Sequence, residues 1–466
     1  MTVSETTLQR MIDVVGAKHA IRDTAEMKAY MVEWRDLWPG TSPLVLRPAN
    51  TEEVSRIMAV AHETGTAIVP QSGNTGLVGG QIPKGDEVLL SLDRMTKIIE
   101  VDAADYTITV EGGCILKNVQ DAAEAAGRLF PLKIASEGSC RIGGNLSSNA
   151  GGLNVLAYGN ARDLCLGLEV VLADGRIWNG LKKLRKNNTG YDLKNLFIGA
   201  EGTLGIITAA VLKLYPQPLR YDTAFLAVPS PQAAVDLLSL IKSKSGNRVI
   251  AFELIAALGV GFAVKHMGVT NPLTSPSPWY VLTELADAPP DLMEQILELA
   301  MAQGIVTDGS VAQSEAQRQA LWNIRELMSE SQKFEGGSIK NDISVPISSV
   351  PQFIAEAGPA VEACLPGTRL MTFGHLGDGN LHYNLSQPIG MDKQAFLDRW
   401  WDLGHAVNEV VLRLGGSISA EHGIGQLKRD EMQKIKSPVE LDMMRAVKAM
   451  LDTKEILNPG KVLPAK

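Results

Sequence analysis

The sequence predicts an α+β protein of two domains followed by a C-terminal helical segment, on three observations. The chain has 466 residues, and single domains run to about 100 to 200 residues. Its first half opens on a strand-helix-strand pattern and continues through short apolar strands broken by glycine-rich turns. Its second half alternates apolar strands with helices, the pattern of an antiparallel sheet packed on helices. The prolines at 216 and 218 interrupt the pattern, so the expected boundaries are 1–217, 218–425 and 426–466.

Each element follows from local chemistry. In PLVLRPANTEEVSRIMAVAHETGTAIVP an apolar strand, a Thr51 cap with Glu53 close behind, a helix and a second strand follow in order. This β-α-β unit opens into QSGNTGLVGGQ, residues 71–81, a loop with four glycines. EVLLSL, IIEVD and TITVEGG read as strands and NVQDAAEAAG as a helix. A second Gly, Ser and Asn-rich region spans 135–159, long for a loop without secondary structure, and such loops are usually functional. LGLEVVLADGRI reads as a strand with a turn, YDLKNLFIG as a helix, and GIITAAVLKLY as a strand. In the second half AFLAVPS, VIAFELI and WYVLTELA are strands, with helices expected at 231–243 and 290–303. A polar stretch, 304–345, precedes the segment FGHLGDGNLHYN.

Composition excludes several classes. Hydrophobic residues are 45% and charged residues 21%, the balance of a globular protein. No run of about 18 apolar residues occurs, and the first residues mix acids into a helical pattern, so the expectation is a soluble, cytoplasmic protein without a transmembrane segment. A formal net charge of -8 argues against nucleic-acid or membrane-surface binding. The basic run LKKLRKNN, 181–188, reads first as a solvated loop between strand and helix, with a substrate-facing or partner-facing role as the alternative. The 4 cysteines are scattered and form neither a disulfide framework nor a thiolate metal site.

Glycine lets backbone N–H groups approach an anion, because no Cβ holds the ligand away. Two such loops suit a cofactor carrying a pyrophosphate. Neither is a GxGxxG or GxxxxGK[ST] loop, which argues against a nicotinamide or P-loop site. PQSGNTGLVGG, GSCRIGGNLSSNAGG, LGLEVVLADG, LRKNNTGYDLKNLFIGAEGTLGIIT and ILNPGKVLP together resemble the FAD-linked D-2-hydroxy-acid dehydrogenases of the vanillyl-alcohol oxidase flavoprotein superfamily. The resemblance implies a two-subdomain FAD-binding domain, an antiparallel substrate (cap) domain, and a C-terminal segment returning to the FAD domain. It implies that Ser72, Gly73, Asn74, Thr75 and Gly76 hold the pyrophosphate. Gly138, Ser139, Gly143, Asn145, Ser148, Asn149, Gly151, Gly205 and Ile206 would line the rest of the FAD, with Asn458 at the flavin. Residues 70–80 contain neither His nor Cys, so non-covalent FAD is expected.

With GDGN, 377–380, as a four-residue hairpin loop, His375 faces His382 on one side of a sheet, with Cβ atoms about 4.5–5.5 Å apart. Two imidazoles so placed can share a metal, and Asn384 points to the same face. Glu421 in SISAEHGIGQ can complete a His2Glu set, leaving His422 to act on substrate. The resemblance implies the same roles. Zinc fits this donor set, and Mn or Fe would also accept it. A 2-hydroxy acid chelating such a metal loses its hydroxyl proton more readily, and His422, with an ordinary pKa of about 6.5, suits its acceptance. The C2 hydrogen would leave as hydride to flavin N5.

Arg325 and Ser329 stand i and i+4 on an expected helix and so share a face, with Lys340 following. The resemblance maps a site for the distal carboxylate of D-2-hydroxyglutarate onto these three, with Asn384 near C1 and Ser329 replacing the usual threonine. D-lactate, D-malate and glycolate stay open as substrates. A flavin-binding sensor or electron-transfer module with a structural metal stays open as a class. The expected electron acceptor is an electron-transfer flavoprotein or a quinone, and a homodimer is compatible with the sequence.

Overall fold

The computed structural model describes residues 3–246 and 248–464, which form two compact units. One is built from the chain up to Gly151, from Gly159–Gln217 and from Glu421 onward; the other from Gly152–Tyr158 and Pro218–Ala420. Residues 421–425 therefore group with the first unit.

Among the described residues the first unit holds two larger sheets and a two-stranded one that pairs Arg128–Leu129 with Tyr215–Pro216. Strands β1 (Ala20–Ile21), β2 (Val45–Leu46), β3 (Ile68–Gln71) and β4 (Val88–Ser91) form a sheet of order β1-β2-β4-β3. The β2–β4 and β3–β4 pairs are parallel, and the helix Thr51–Thr64 carries the crossover between β2 and β3. It buries Val54, Ile57, Met58 and Ala61, positions that recur on one face of a 3.6-residue helix. Each larger apolar side chain so buried contributes about 1.5–3 kcal/mol. The cap is Asn50 rather than Thr51: its extended backbone lets its side chain accept from the Glu53 N–H at 2.9 Å. Thr51 instead donates its hydroxyl to Glu169.

Strands β5 (Ile98–Asp102), β6 (Thr107–Glu111), β7 (Cys165–Val171), β8 (Ile177–Gly180) and β9 (Ile206–Lys213) form an antiparallel sheet of order β5-β6-β9-β7-β8. The helix expected in YDLKNLFIG is one turn, Lys194–Phe197. Within the basic run, Lys183 pairs with Glu100 and Asp102, while Lys182, Leu184 in part and the neighbouring side chains face solvent. Residues 135–159 are more structured than a loop: Ile142–Ser147 is helical because Ile142 and Leu146, one turn apart, are both buried.

The second unit is an eight-stranded antiparallel sheet. Its strands are β10 (Tyr221–Val228), β11 (Val249–Ala256), β12 (Trp279–Ala286), β13 (Asp308–Val311), β14 (Ser338–Ile339), β15 (Asp342–Ser344), β16 (Arg369–His375) and β17 (Asn380–Ser386). The order is β13-β10-β12-β11-β16-β17-β14, and β15 also pairs with β17. Helices Pro231–Ser245 and Leu292–Ala302 lie where the sequence places them. The polar stretch 304–345 contributes β13 to β15 and the helix Glu315–Glu326, whose Leu321, Trp322 and Ile324 join Phe225, Tyr280, Leu282 and Phe373 in the core. Among the described residues no helix is long and apolar enough to cross a membrane. Burial pushes the thiols of Cys114 and Cys165 up to about 12, so neither is a ready thiolate.

Candidate active site

In the first unit the two glycine loops interlock. A Cβ on Gly73 would lie 2.8 Å from Ser139 O, and one on Gly143 would lie 2.9 Å from Gly112 O. Gly112 O accepts from the Gly143 N–H at 2.7 Å and from the Ser72 hydroxyl at 3.2 Å. Glycine at 73 and 143 is thus required by the chain's own packing. The same holds for Gly205, where a Cβ would meet Val170 at 2.5 Å, whereas Gly76 faces only the movable end of Gln81. Gly138 instead borders open space.

The polar residues divide likewise. Asn74 is occupied by the protein, donating to Ala29 O and Val32 O; Asn149 accepts from the Arg162 N–H, and the hydroxyls of Ser139 and Ser148 donate to Ser136 O and Gly144 O. Thr75 is half-buried, and Ile206 begins β9. Asn145 Oδ1 and Asn458 Oδ1 differ: both are buried, and neither has a partner among the described residues. The Asn458 amide nitrogen is anchored on Gly80 O and Glu201 O, at 2.9 and 2.8 Å. Its carbonyl oxygen is thereby offered to a ligand donor. Unsatisfied buried acceptors are costly, so this cradle fits a bound FAD.

In the second unit β16 and β17 form the predicted hairpin with a different register. Phe373, not His375, lies opposite His382, and Met371 lies opposite Asn384. The offset is two residues, so the parity survives, and the His375 and His382 rings meet edge-on with centroids 5.4 Å apart. Gly374 permits the strands to close here, since a Cβ would sit 2.6 Å from Asn380 O. Asp378 and Gly379 then return their N–H groups to His375 O.

Two acidic residues that the sequence reading did not single out belong to this site. Asp342, on β15, stands directly opposite His382, and the two offer ligand atoms within 4.8 Å of each other. Glu253, on β11, is fully buried and accepts from His375 Nδ1 at 2.6 Å and Arg325 Nε at 2.5 Å. Burial alone would raise its carboxyl, but His375 and Arg325 outweigh it and hold the group down at about 2. A lone acid inside the apolar run VIAFELI was the available signal, because a charge there must be paired.

Arg325 and Ser329 are not on one continuous helix. The helix ends at Glu326, and a separate turn, Met328–Ser331, leaves Arg325 buried and Ser329 exposed. Lys340 donates to Gln332 Oε1 at 2.5 Å; the same oxygen accepts from Asn384 at 3.3 Å. Each cation therefore sits one hydrogen-bonded residue from the histidine strands: Arg325 through Glu253, Lys340 through Gln332.

Residues 417–420 run beside β15, with Ser344 and Ser417 exchanging both backbone hydrogen bonds and the Ala420 N–H donating to Asp342 O. Glu421 and His422 follow at once, in the first unit, with ligand atoms within 4.8 Å of each other. There the Glu421 carboxylate lies against Gly151 of the second glycine loop. Half-buried Glu201, its carboxyl raised by lost solvation, accepts from the N–H groups of Ile424 and Gly425 at 2.7 and 2.8 Å. It holds the segment that carries His422.

A glycine cradle with two amide acceptors that lack a partner among the described residues, together with a buried His375 and a half-buried His382 on an antiparallel sheet, fits an FAD-dependent oxidoreductase of the vanillyl-alcohol oxidase fold. Residues 42–180 match the family described as FAD binding domain, and residues 217–462 that described as FAD linked oxidases, C-terminal domain. The chain belongs to the FAD-linked oxidases. It is 39% identical over 449 residues to the mitochondrial D-2-hydroxyglutarate dehydrogenase of Danio rerio, covering 95% of this chain and 83% of that protein. It is 36% identical to the D-2-hydroxyglutarate dehydrogenase of Xanthomonas citri pv. viticola, covering 97% and 96%. Of solved structures, p-cresol methylhydroxylase with substrate bound matches with a TM-score of 0.78 at 15% identity, over 99% of this chain and 98% of that one, a likeness of fold alone.

Proposed function

We propose that this enzyme oxidises a D-2-hydroxy acid, D-2-hydroxyglutarate in particular, to the 2-oxo acid, using non-covalent FAD and a divalent cation. Zinc suits the nitrogen and oxygen donors of His375, His382 and Glu421. The observation that carries this reading is the hairpin of the histidine pair flanked by two cations, Arg325 linked through Glu253 to His375 and Lys340 linked through Gln332 to Asn384. It is supported by near-full-length similarity to proteins named for that substrate.

When bound, the cation supplies charge that lowers the hydroxyl pKa, and FAD accepts the hydrogen and electron pair leaving C2. The chain's own groups do the rest. His422 accepts the hydroxyl proton on its imidazole, so that the C2–O bond closes to a carbonyl. Arg325 and Lys340 bind the distal carboxylate through charge-assisted hydrogen bonds, and Asn384 orients the C1 end. Ser329, exposed on the turn that follows the Arg325 helix, offers its hydroxyl to the same carboxylate.

Anaerobic mixing with a panel of D- and L-2-hydroxy acids, with and without chelator, tests the proposal. D-2-hydroxyglutarate should bleach the flavin and the chelator should prevent it. A preference of about tenfold or more for lactate would overturn the dicarboxylate assignment. A flavin that no hydroxy acid bleaches would overturn the dehydrogenase reading and leave a sensor or electron-transfer module.

A further inference from the structure

We propose that Glu253 is a positioning residue that orients His375 for the cation and Arg325 for the substrate carboxylate at the same time. The inference rests on His375 being a metal ligand.

Glu253 lies in the middle of β11, directly across the ladder from His375 on β16. Its side chain is fully buried and its two oxygens are divided, Oε1 to His375 Nδ1 at 2.6 Å and Oε2 to Arg325 Nε at 2.5 Å. An ionised carboxylate only accepts hydrogen bonds, so the proton of a neutral His375 must sit on Nδ1. The lone pair is then on Nε2, the nitrogen able to take a cation, and outer partners of this kind fix ring orientation and raise ligand basicity.

The other oxygen acts on Arg325. With Nε engaged and the guanidinium stacked 4.6 Å from the Phe373 ring centre, the plane of the fork is set. The two terminal amino groups then remain to meet a carboxylate in parallel. A buried ion pair that served stability alone would need neither this division of oxygens nor these two partners. One carboxylate thus ties the position of the metal to that of the substrate's far end.

The test uses the full-length FAD-loaded protein and its Glu253→Gln and Glu253→Asp variants, with Zn2+ affinity measured by competition with a chelating indicator. Glutamine offers one acceptor oxygen where two are needed. Glu253→Gln should keep the flavin spectrum, bind Zn2+ about 10–100-fold more weakly, and raise KM for D-2-hydroxyglutarate more than for D-lactate. Glu253→Asp, which keeps the charge, should recover part of the Zn2+ affinity. A folded Glu253→Gln protein with unchanged Zn2+ affinity and KM overturns the proposal.

The histidine spectrum of the wild-type protein provides a second measurement that needs no Glu253 variant. In 15N-histidine spectra of the metal-free protein, the resonance lost in His375→Gln should report an Nδ1–H ring; an Nε2–H ring overturns the proposal. His375→Ala separates the two levels. If it too binds Zn2+ normally, the metal assignment has failed; if it loses Zn2+ while Glu253→Gln does not, only the role of Glu253 has failed.

Discussion

The two units prepare their sites by opposite means. In the first, the main chain does the work: Gly73 and Gly143 are pressed against backbone oxygens, and two buried amide oxygens have no partner among the described residues. In the second, buried side-chain charge does it, with Glu253 shared between a histidine and an arginine. A backbone cradle tolerates changes of charge and fails on added volume. A charge network tolerates small changes of volume and fails on loss of one partner, because the other is left buried and uncompensated.

That contrast can be broken or sharpened by substitution. The largest effect is expected at His422: His422→Ala should slow flavin reduction by about 10²–10⁴-fold while FAD stays bound, as the loss of a general base implies. Stopped-flow absorbance reads both. Undiminished reduction would remove His422 from the mechanism. Next is Gly73→Ala, whose methyl would come within 2.8 Å of Ser139 O. At about 1–3 kcal/mol for overpacking, FAD retention should fall sharply on gel filtration while Zn2+ binding stays intact. Loss of both together would contradict the division of labour.

A smaller effect is expected at Lys340, which is half-buried and donates to Gln332. Lys340→Ala should raise KM for D-2-hydroxyglutarate about tenfold, the worth of one charged hydrogen bond, and leave D-lactate kinetics nearly unchanged. The smallest effect concerns acid stability. Hydrogen bonds from His266, then from Lys265 and Arg369, hold the Glu335 carboxyl at about 2, below its ordinary 4.5. Its folded pKa is the lower one, so its contribution is present above pH 4.5 and is lost as pH falls toward 2. Glu335→Gln should flatten the acid limb of the unfolding profile in that window, as followed by tryptophan fluorescence.

The first site was the more legible one. Gly, Ser and Asn crowded into 71–81 and 135–159 announce close backbone approach, because few other sequences allow it. The histidine hairpin was legible in part. Period-two alternation puts His375 and His382 on one face whatever the register, and the two-residue offset that Gly374 permits left that parity intact. The shared face of Arg325 and Ser329 assumed a helix continuing past Glu326, which it does not. Glu253 lies 122 residues from His375, and no local pattern connects them.

What the sequence determined by itself, therefore, is everything set within a few residues: the strands and most helices, the glycine loops, and the imidazoles that share a sheet face. Tertiary structure alone decided which buried charges meet, pairing β11 with β16 and β15 with β17 so that Glu253 reaches His375 and Asp342 reaches His382. The reason is physical. Hydrogen-bond ladders join strands from distant parts of the chain, and Glu253 takes its partners from a neighbouring strand and a helix rather than from its own strand.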